Sequence, residues 1–390
     1  MPQKRKFKLE SFLKVLTIKS GLSTGVIARK VKCAKSTALR YLRELKTAKQ
    51  VIEQRISNTI NLWRVTGKRI LLIDVDSKIP NLALMKISAW HKAKGDNVVL
   101  VHCSQVELGD KPDKVYASII FKKNKHALDY LLSSYPDIDI DIGGSGYDLE
   151  KTLPYYIEEM KPDYSLYPEF DYSLSFSSRG CFRSCDFCIV RKKEGMFRKV
   201  AHPETWYNPQ YKKIVFLDNN ILTNRKHFMK ITDWCIEKGL SVWFTQGLDI
   251  RRVNEAVARR LLEMKHFKMI SFAWDNINDE AIIREKIELL QCAGFTKNKL
   301  RAKVQFYVYV DSDSDEEYSS GVYRCRELKK LNCNAYVMYN IDNERTQRIK
   351  DLQRWSIRKI FYWINDIVDY KASIRAPKTI RAKSAKALQP

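Results

Sequence analysis

The chain has 390 residues and a mass of 45.7 kDa, room for two to four domains at roughly 100–200 residues each, and its 45% hydrophobic content excludes a disordered or collagen-like polymer. Seventy Lys and Arg against 45 Asp and Glu give +25, unevenly spread: residues 1–68 carry 17 basic and 3 acidic side chains, and residues 371–390 carry 6 basic and none acidic. No apolar run approaches the ~20 residues of a membrane helix and MPQKRKFKLE lacks a secretory core, so a cytoplasmic protein with polyanion-binding ends and no membrane partner is expected.

In chain order, Leu9, Phe12, Leu13 and Leu16 recur at helical spacing until Ser20-Gly21 breaks the pattern. A second helix runs from Ser23 or Thr24 to Val31. A third, near 35–46, has Ala38, Leu39, Leu42 and Leu45 apolar while Lys35, Ser36, Thr37, Arg40, Tyr41 and Arg43 form a polar face. VIEQRISNTINLWRV reads as two strands around Ser57-Asn58. Residues 1–68 thus resemble a winged helix-turn-helix domain. The resemblance implies DNA as partner, with Lys35, Ser36, Thr37 and Arg40 nearest the bases or phosphates; docking to a protein is the other use of such a module.

From Arg69 the pattern becomes strand, helix, strand: ILLIDVD (70–76), a helix over 81–94, NVVLVHC (97–103), VYASIIF (115–121), a helix around 123–133, and DIDIDIGGSG (137–146). This predicts a doubly wound parallel sheet over 69–165. No GxGxxG follows the first strand. The segment resembles the Rossmann-like, cobalamin-binding-type domain that precedes the barrel in many radical S-adenosylmethionine enzymes. The Asp-x-His-x-x-Gly pattern that ligates cobalamin is missing, since Asp74 and Asp76 lead into Ser77-Lys78-Ile79-Pro80, which leaves cobalamin doubtful. Gly143-Gly144-Ser145-Gly146 suits either close approach to a ligand or a tight turn.

Of nine cysteines, Cys33, Cys103, Cys235, Cys292, Cys325 and Cys333 lie in separate elements and read as core residues. Cys181, Cys185 and Cys188 differ: SSRGCFRSCDFCIVRKK spaces them C-x3-C-x2-C behind Gly180. Three thiolates in one loop suit a cubane iron–sulfur cluster whose fourth iron lacks a protein ligand. A structural zinc site normally takes four ligands, and the nearest C-terminal candidate is His202. The spacing, with Phe187 before the last cysteine, resembles the radical S-adenosylmethionine superfamily. The resemblance implies a 4Fe-4S cluster whose open iron is chelated by S-adenosylmethionine, reductive cleavage to a 5′-deoxyadenosyl radical, and a reducing partner such as flavodoxin or ferredoxin.

The rest of the chain fits an α/β fold with a partial (β/α)6 barrel over 170–345. YSLSFSS (172–178), KIVFLD (213–218), SVWFTQ (241–246), MISFAWD (269–275), VQFYVYV (304–310) and AYVMYN (335–340) alternate with helices, and right-handed crossovers make such strands parallel. Polar residues close five of the strands: Asp218-Asn219-Asn220, Gln246 with Asp249 and Arg251, Asp275, Asp311, and Asn340. Asp311 and Asn276 equally suit capping. By the resemblance Asp218-Asn219-Asn220 takes the place of a GGE motif that contacts the cofactor's amino group. Period two in 304–310 puts Gln305, Tyr307 and Tyr309 on one face, assigned to the lumen. Phe187, Asp218, Asn219, Asn220, Gln246, Asp249, Arg251, Asp275 and Tyr309 are therefore the candidate cofactor-binding residues.

Residues 346–370 are expected to form one amphipathic helix with Ile349, Leu352, Ile360, Trp363 and Ile367 on one face, and residues 371–390 a disordered basic tail. A redox-sensing DNA-binding regulator without turnover is the competing function. A methylthiotransferase suits the layout but carries a further cysteine triad that this N-terminal region lacks.

Overall fold

Helical spacing of apolar residues at the N-terminus gives way to alternating strands and helices, and the elements follow that change. The computed structural model describes residues 7–18, 22–48, 50–55, 61–65, 67–102, 112–128, 133, 140–340 and 342–371. It divides into two compact units, Met1–Phe170 and Asp171–Pro390.

The first unit begins with α1 (Leu9–Ile18), β1 (Leu22–Ser23), α2 (Thr24–Val31), α3 (Lys35–Thr47), β2 (Val51–Arg55) and β3 (Asn61–Val65). The strands form an antiparallel sheet in the order β1-β3-β2. The turn expected at Ser57-Asn58 lies outside the described residues. Phe12, Leu16, Ile27, Ala38, Leu42, Leu45 and Trp63 are buried in one core, with the Trp63 indole donating to Thr24 Oγ1 at 2.9 Å. Tyr41 corrects the expected polar face of α3. It is buried and stacks on Phe12 at 4.8 Å, because positions 38, 41, 42 and 45 share the inward stripe of a 3.6-residue helix.

Four parallel strands follow: β4 (Arg69–Asp74), β5 (Asn97–His102), β6 (Lys114–Ser118) and β7 (Ile140–Gly143), in the order β5-β4-β6-β7. Helix α4 (Leu82–Ala93) joins β4 to β5, and the short α5 (Tyr155–Glu158) packs on α4. Asn81 caps α4, its side chain accepting from Leu84 N, and Gly95 at φ +83 follows its end. Where a helix over 123–133 was expected, the described residues hold only a 3-10 turn at Lys122–Asn124 and isolated helical positions; 129–132 lie outside them.

The second unit carries β8 (Tyr172–Ser175), β9 (Ser178–Arg179), α6 (Val190–Glu194), β10 (Arg198–Lys199), β11 (Lys213–Phe216), α7 (Arg225–Glu237), β12 (Ser241–Phe244), α8 (Glu255–Glu263), β13 (Lys265–His266), β14 (Ile270–Ala273), α9 (Glu280–Cys292), α10 (Lys297–Lys303), β15 (Val304–Val310), α11 (Asp315–Lys330), β16 (Asn334–Tyr339), α12 (Gln347–Trp355) and α13 (Arg358–Trp363). Parallel sheets β13-β12-β11-β8 and β14-β15-β16 are linked where Leu248 N donates to Ser271 O at 2.8 Å beside a parallel Leu248–Phe272 bridge. The fold is mixed α/β with parallel sheets. In β15 the period of two holds: Val304, Phe306, Val308 and Val310 are buried, and Gln305, Tyr307 and Tyr309 are half-buried on the other face.

Three expectations for this unit are corrected. The first strand ends at Ser175, not 178, and Ser178-Arg179 turns away to pair antiparallel with Arg198-Lys199. The single helix over 346–370 is broken into α12, α13 and a 3-10 turn at Ile367–Asp369. The break stands at buried Ser356, whose hydroxyl donates to Gln353 O and accepts from Val337 N on the outer strand β16. Bending there brings Trp355 and Phe361 into edge contact at 5.1 Å and leaves Trp363 exposed. Cys292 is exposed at the end of α9 and Cys33 half-buried, whereas Cys235, Cys325 and Cys333 are buried; Cys103 lies outside the described residues. So do residues 372–390, nearly all of the expected tail. Among the described residues no helix is long and apolar enough to cross a membrane.

Candidate active site

The site is built where β8 and β11 stop pairing. Their ladder ends with Leu217 N donating to Ser175 O at 3.0 Å, and both chains then turn out at the carboxyl ends of the strands. Asp218 is 4% exposed, and its carboxylate accepts from Ser177 N (2.9 Å), Ser177 Oγ (2.7 Å), Ser178 N (2.6 Å) and Ser178 Oγ (2.5 Å). Burial pushes its pKa up against these four donors. His227 of α7 lies behind them, Nε2 3.0 Å from Ser177 Oγ, and burial lowers its pKa to about 4.

Asp218, expected to contact a cofactor, has its carboxylate occupied by the two serines and shut away from solvent in this structure. Asn219 is likewise engaged, accepting from Gly180 N at 2.8 Å. Asn220 donates from Nδ2 to Cys181 Sγ at 3.4 Å, while its buried Oδ1 has no hydrogen-bond partner.

The cysteine loop rises from the β9–β10 ribbon. Cys181 N donates to Gly195 O at 3.2 Å and Cys188 N to Cys185 O at 2.9 Å. Gly180 sits at φ +81, and a Cβ there would lie 2.2 Å from Met196 O, so only glycine fits. Cys181, Cys185 and Cys188 are free, half-buried thiols. The Arg183 guanidinium donates to Cys185, and burial, followed by the neighbouring Cys185 and Cys181 sulfurs, raises the Cys188 pKa. Phe182, Arg183, Ser184 and Cys185 line a depression of about 300 Å³. Among the described residues no three His, Cys, Asp or Glu side chains are arranged to hold a metal ion; the thiols are a donor set on one loop, not a formed polyhedron. His202 is turned elsewhere, its ring edge-on to Trp234 at 5.7 Å.

Phe187 stacks on Tyr309 at 4.1 Å, joining the loop to the half-buried face of β15, and the Tyr309 hydroxyl donates to Asp311 at 2.8 Å. Asp311 also accepts from Asn340 at 2.9 Å, so this pair latches β15 to β16. At the end of β12, Gln246 is exposed, Arg251 donates from Nε to Asp249 Oδ1 at 2.8 Å and from Nη1 to Asp279 at 2.6 Å, and Asp249 Oδ2 is buried with no hydrogen-bond partner. Arg183 Nη1 stands 3.8 Å from that oxygen, and Arg183 Nε is also buried and unpartnered. Asp275 has its pKa raised to about 6 by burial, against the opposing Arg324, Arg251 and Arg183 charges.

Sequence reasoning missed Ser177, Ser178, His227, Arg183 and Arg324. Arg324, 1% exposed on α11, donates to Trp274 O, Asp275 O and Tyr309 O at 2.8–2.9 Å and pins the ends of β14 and β15. Nothing local to its helix distinguishes it from a surface arginine. The two serines directly precede the cysteine motif and were the available signal.

The corresponding strand ends in the first unit are filled from within. Asp74 accepts from Ser77 N (3.0 Å) and the Tyr167 hydroxyl (2.7 Å), and Asn81 donates to Ser77 and Ser118. Asp76 accepts from Ile120 N, Phe121 N and Asn124. Gly144, at φ +98, packs so closely that a Cβ would lie 2.1 Å from Ile119 O, which makes the glycine run a tight turn. On α3, Lys35, Ser36 and Arg40 are exposed and Thr37 is half-buried.

No protein-family model matches the chain, and no curated protein matches it.

Proposed function

We propose that the second unit is a partial (β/α)6 barrel and that the protein is a radical S-adenosylmethionine enzyme. One observation carries the reading: three free thiols on a single loop stand at the carboxyl ends of parallel strands, beside buried polar atoms that have no hydrogen-bond partner. Cys181, Cys185 and Cys188 would hold a 4Fe-4S cluster. The donors on their sulfurs, Asn220, Arg183 and the Arg183 amide, suit thiolates better than thiols. When bound with S-adenosylmethionine, the cluster supplies the electron that cleaves the cofactor to a 5′-deoxyadenosyl radical.

The chain's own residues bind and orient. Asn220 Oδ1 and Asp249 Oδ2, the latter ion-paired with Arg183 at 3.8 Å, are buried acceptors with no hydrogen-bond donor, which matches the amino group of an amino-acid moiety, and Arg183 Nε offers a donor for its carboxylate. The Phe187–Tyr309 pair offers ring faces to a purine. Asp275, with a pKa near 6, can hold or release a proton near neutrality. The exposed Lys35, Ser36 and Arg40 are compatible with DNA as the partner of the N-terminal module, and the reductant would be a flavodoxin or ferredoxin. Anaerobic incubation of the reconstituted protein with dithionite and S-adenosylmethionine should release 5′-deoxyadenosine, read by chromatography. A cluster-loaded protein that releases none is the non-catalytic redox sensor instead.

A further inference from the structure

We propose that Asp218-Asn219-Asn220 is a positioning clamp that sets the first cysteine of the loop, a role that rests on reading Cys181 as a cluster ligand. Three consecutive side chains at the end of β11 engage the segment entering the loop in order. Asp218 takes Ser177 and Ser178, Asn219 takes the Gly180 amide, and Asn220 reaches Cys181 Sγ. The backbone ladder between β8 and β11 stops at Leu217–Ser175, and from that point side chains continue the pairing that backbone can no longer make.

The burial of Asp218 makes the clamp cooperative. A carboxylate at 4% exposure is tolerated only while its donors stay in place, and here all four come from two adjacent serines. His227 Nε2 behind Ser177 and the Met196 carbonyl against Gly180 close the other sides. Cys181 is therefore fixed to the sheet. Among the described residues, Cys185 and Cys188 lack such a hydrogen-bonded link to β11: Cys188 N donates to Cys185 O within the loop, and Phe187 between them stacks on Tyr309 of β15.

Asp218→Ala leaves four buried serine donors without their acceptor and is expected to unfold the site, so Asn219 is the informative position. Hydrogen exchange by mass spectrometry on the metal-free, full-length protein should show peptides covering 177–181 exchanging about tenfold faster in Asn219→Leu, the factor that one lost hydrogen bond of ordinary strength represents. Asn219→Asp, which keeps the acceptor, should restore the wild-type rate. After reconstitution, Asn219→Leu should lose iron to a chelator faster than wild type or Asn219→Asp. Unchanged exchange in Asn219→Leu overturns the clamp, and faster exchange with unchanged iron retention overturns its role in placing Cys181. A wild-type protein that takes up no iron overturns the enzyme reading, and the exchange result alone then decides whether the clamp exists.

Discussion

The first unit's four-stranded sheet and the second unit's longer strand series both end in carboxylates and amides at the carboxyl ends of parallel strands, where α/β folds bind ligands. They treat those groups in opposite ways. In the first, Asp74, Asp76, Asn81 and Ser118 bond one another, backbone amides and the Tyr167 hydroxyl. In the second, Asn220 Oδ1, Asp249 Oδ2 and Arg183 Nε are buried without hydrogen-bond partners. A buried polar atom left unpaired costs roughly 1–3 kcal/mol, so it persists where something else compensates for it. Under the proposed reading, the first sheet serves as a scaffold and the second carries the binding site.

The sharpest way to break that contrast is iron. Anaerobically reconstituted protein should bind about four irons, and serine at Cys181, Cys185 or Cys188 should abolish this. Serine at Cys33, Cys235, Cys292, Cys325 or Cys333 should leave the iron content unchanged, because these thiols lie outside the loop and burial raises three of their pKa values, at Cys235, Cys325 and Cys333, to about 12. Iron lost on changing Cys325 or Cys333 would place a second cluster in the core.

Next come the unpaired atoms themselves. Asp249→Asn should weaken S-adenosylmethionine binding to the loaded protein by about tenfold, the scale of one charge-assisted hydrogen bond, and should do so without loss of iron. Tyr167→Phe in the first unit should lower stability by about 1 kcal/mol and leave that affinity alone. Equal affinities in wild type and Asp249→Asn, measured by calorimetry, would show that the orphaned oxygen is not a ligand acceptor.

Much of this contrast was legible in the sequence, and the parts that were not share a cause. The cysteine spacing, the strand positions and the alternation in β15 are local patterns, and local patterns survive folding. Tyr167 filling the end of β4 is a contact across 93 positions, and Asp218 reaching Ser177 spans 41; no periodicity encodes either. Asp218 was read by its place at a strand end, which holds, whereas its burial against Ser177 and Ser178 had no local signal. Tyr41 shows the converse: its hydroxyl suggested the outer face of α3, while helical phase put the ring against Phe12.

If the first sheet is a scaffold, that unit's interactions belong on α3. Full-length protein should bind duplex DNA with an affinity that falls steeply with salt. Lys35→Ala or Arg40→Ala should flatten the log–log slope by about one unit if the side chain meets a phosphate, and should instead relax sequence preference if it meets a base. Binding unaffected by both variants at every salt concentration would move the module to protein docking.

The smallest effect is on pH. His266 in the second unit donates to or accepts from nothing charged; its Nε2 meets Leu261 O at 2.9 Å, and burial lowers its pKa to about 4. The unfolded chain takes up that proton near pH 6.5, the folded chain only near 4, so the contribution of neutral His266 is complete above 6.5 and is lost as pH falls through that interval. His227, lowered to about 4 chiefly by burial, acts in the same direction. Asp275 acts in the opposite one: with its folded pKa raised to about 6, the native state gains relative stability as pH falls from 6 toward the ordinary carboxylate range. The bare pH profile therefore mixes opposing slopes, and the difference between wild type and His266→Gln isolates one of them. Denaturant midpoints of the metal-free protein should converge for the two as pH drops from 6.5 to 4, since only the wild type has a histidine to protonate at 266. Midpoints that stay a constant distance apart across that range would mean that the ring is solvated and titrates normally in the folded state.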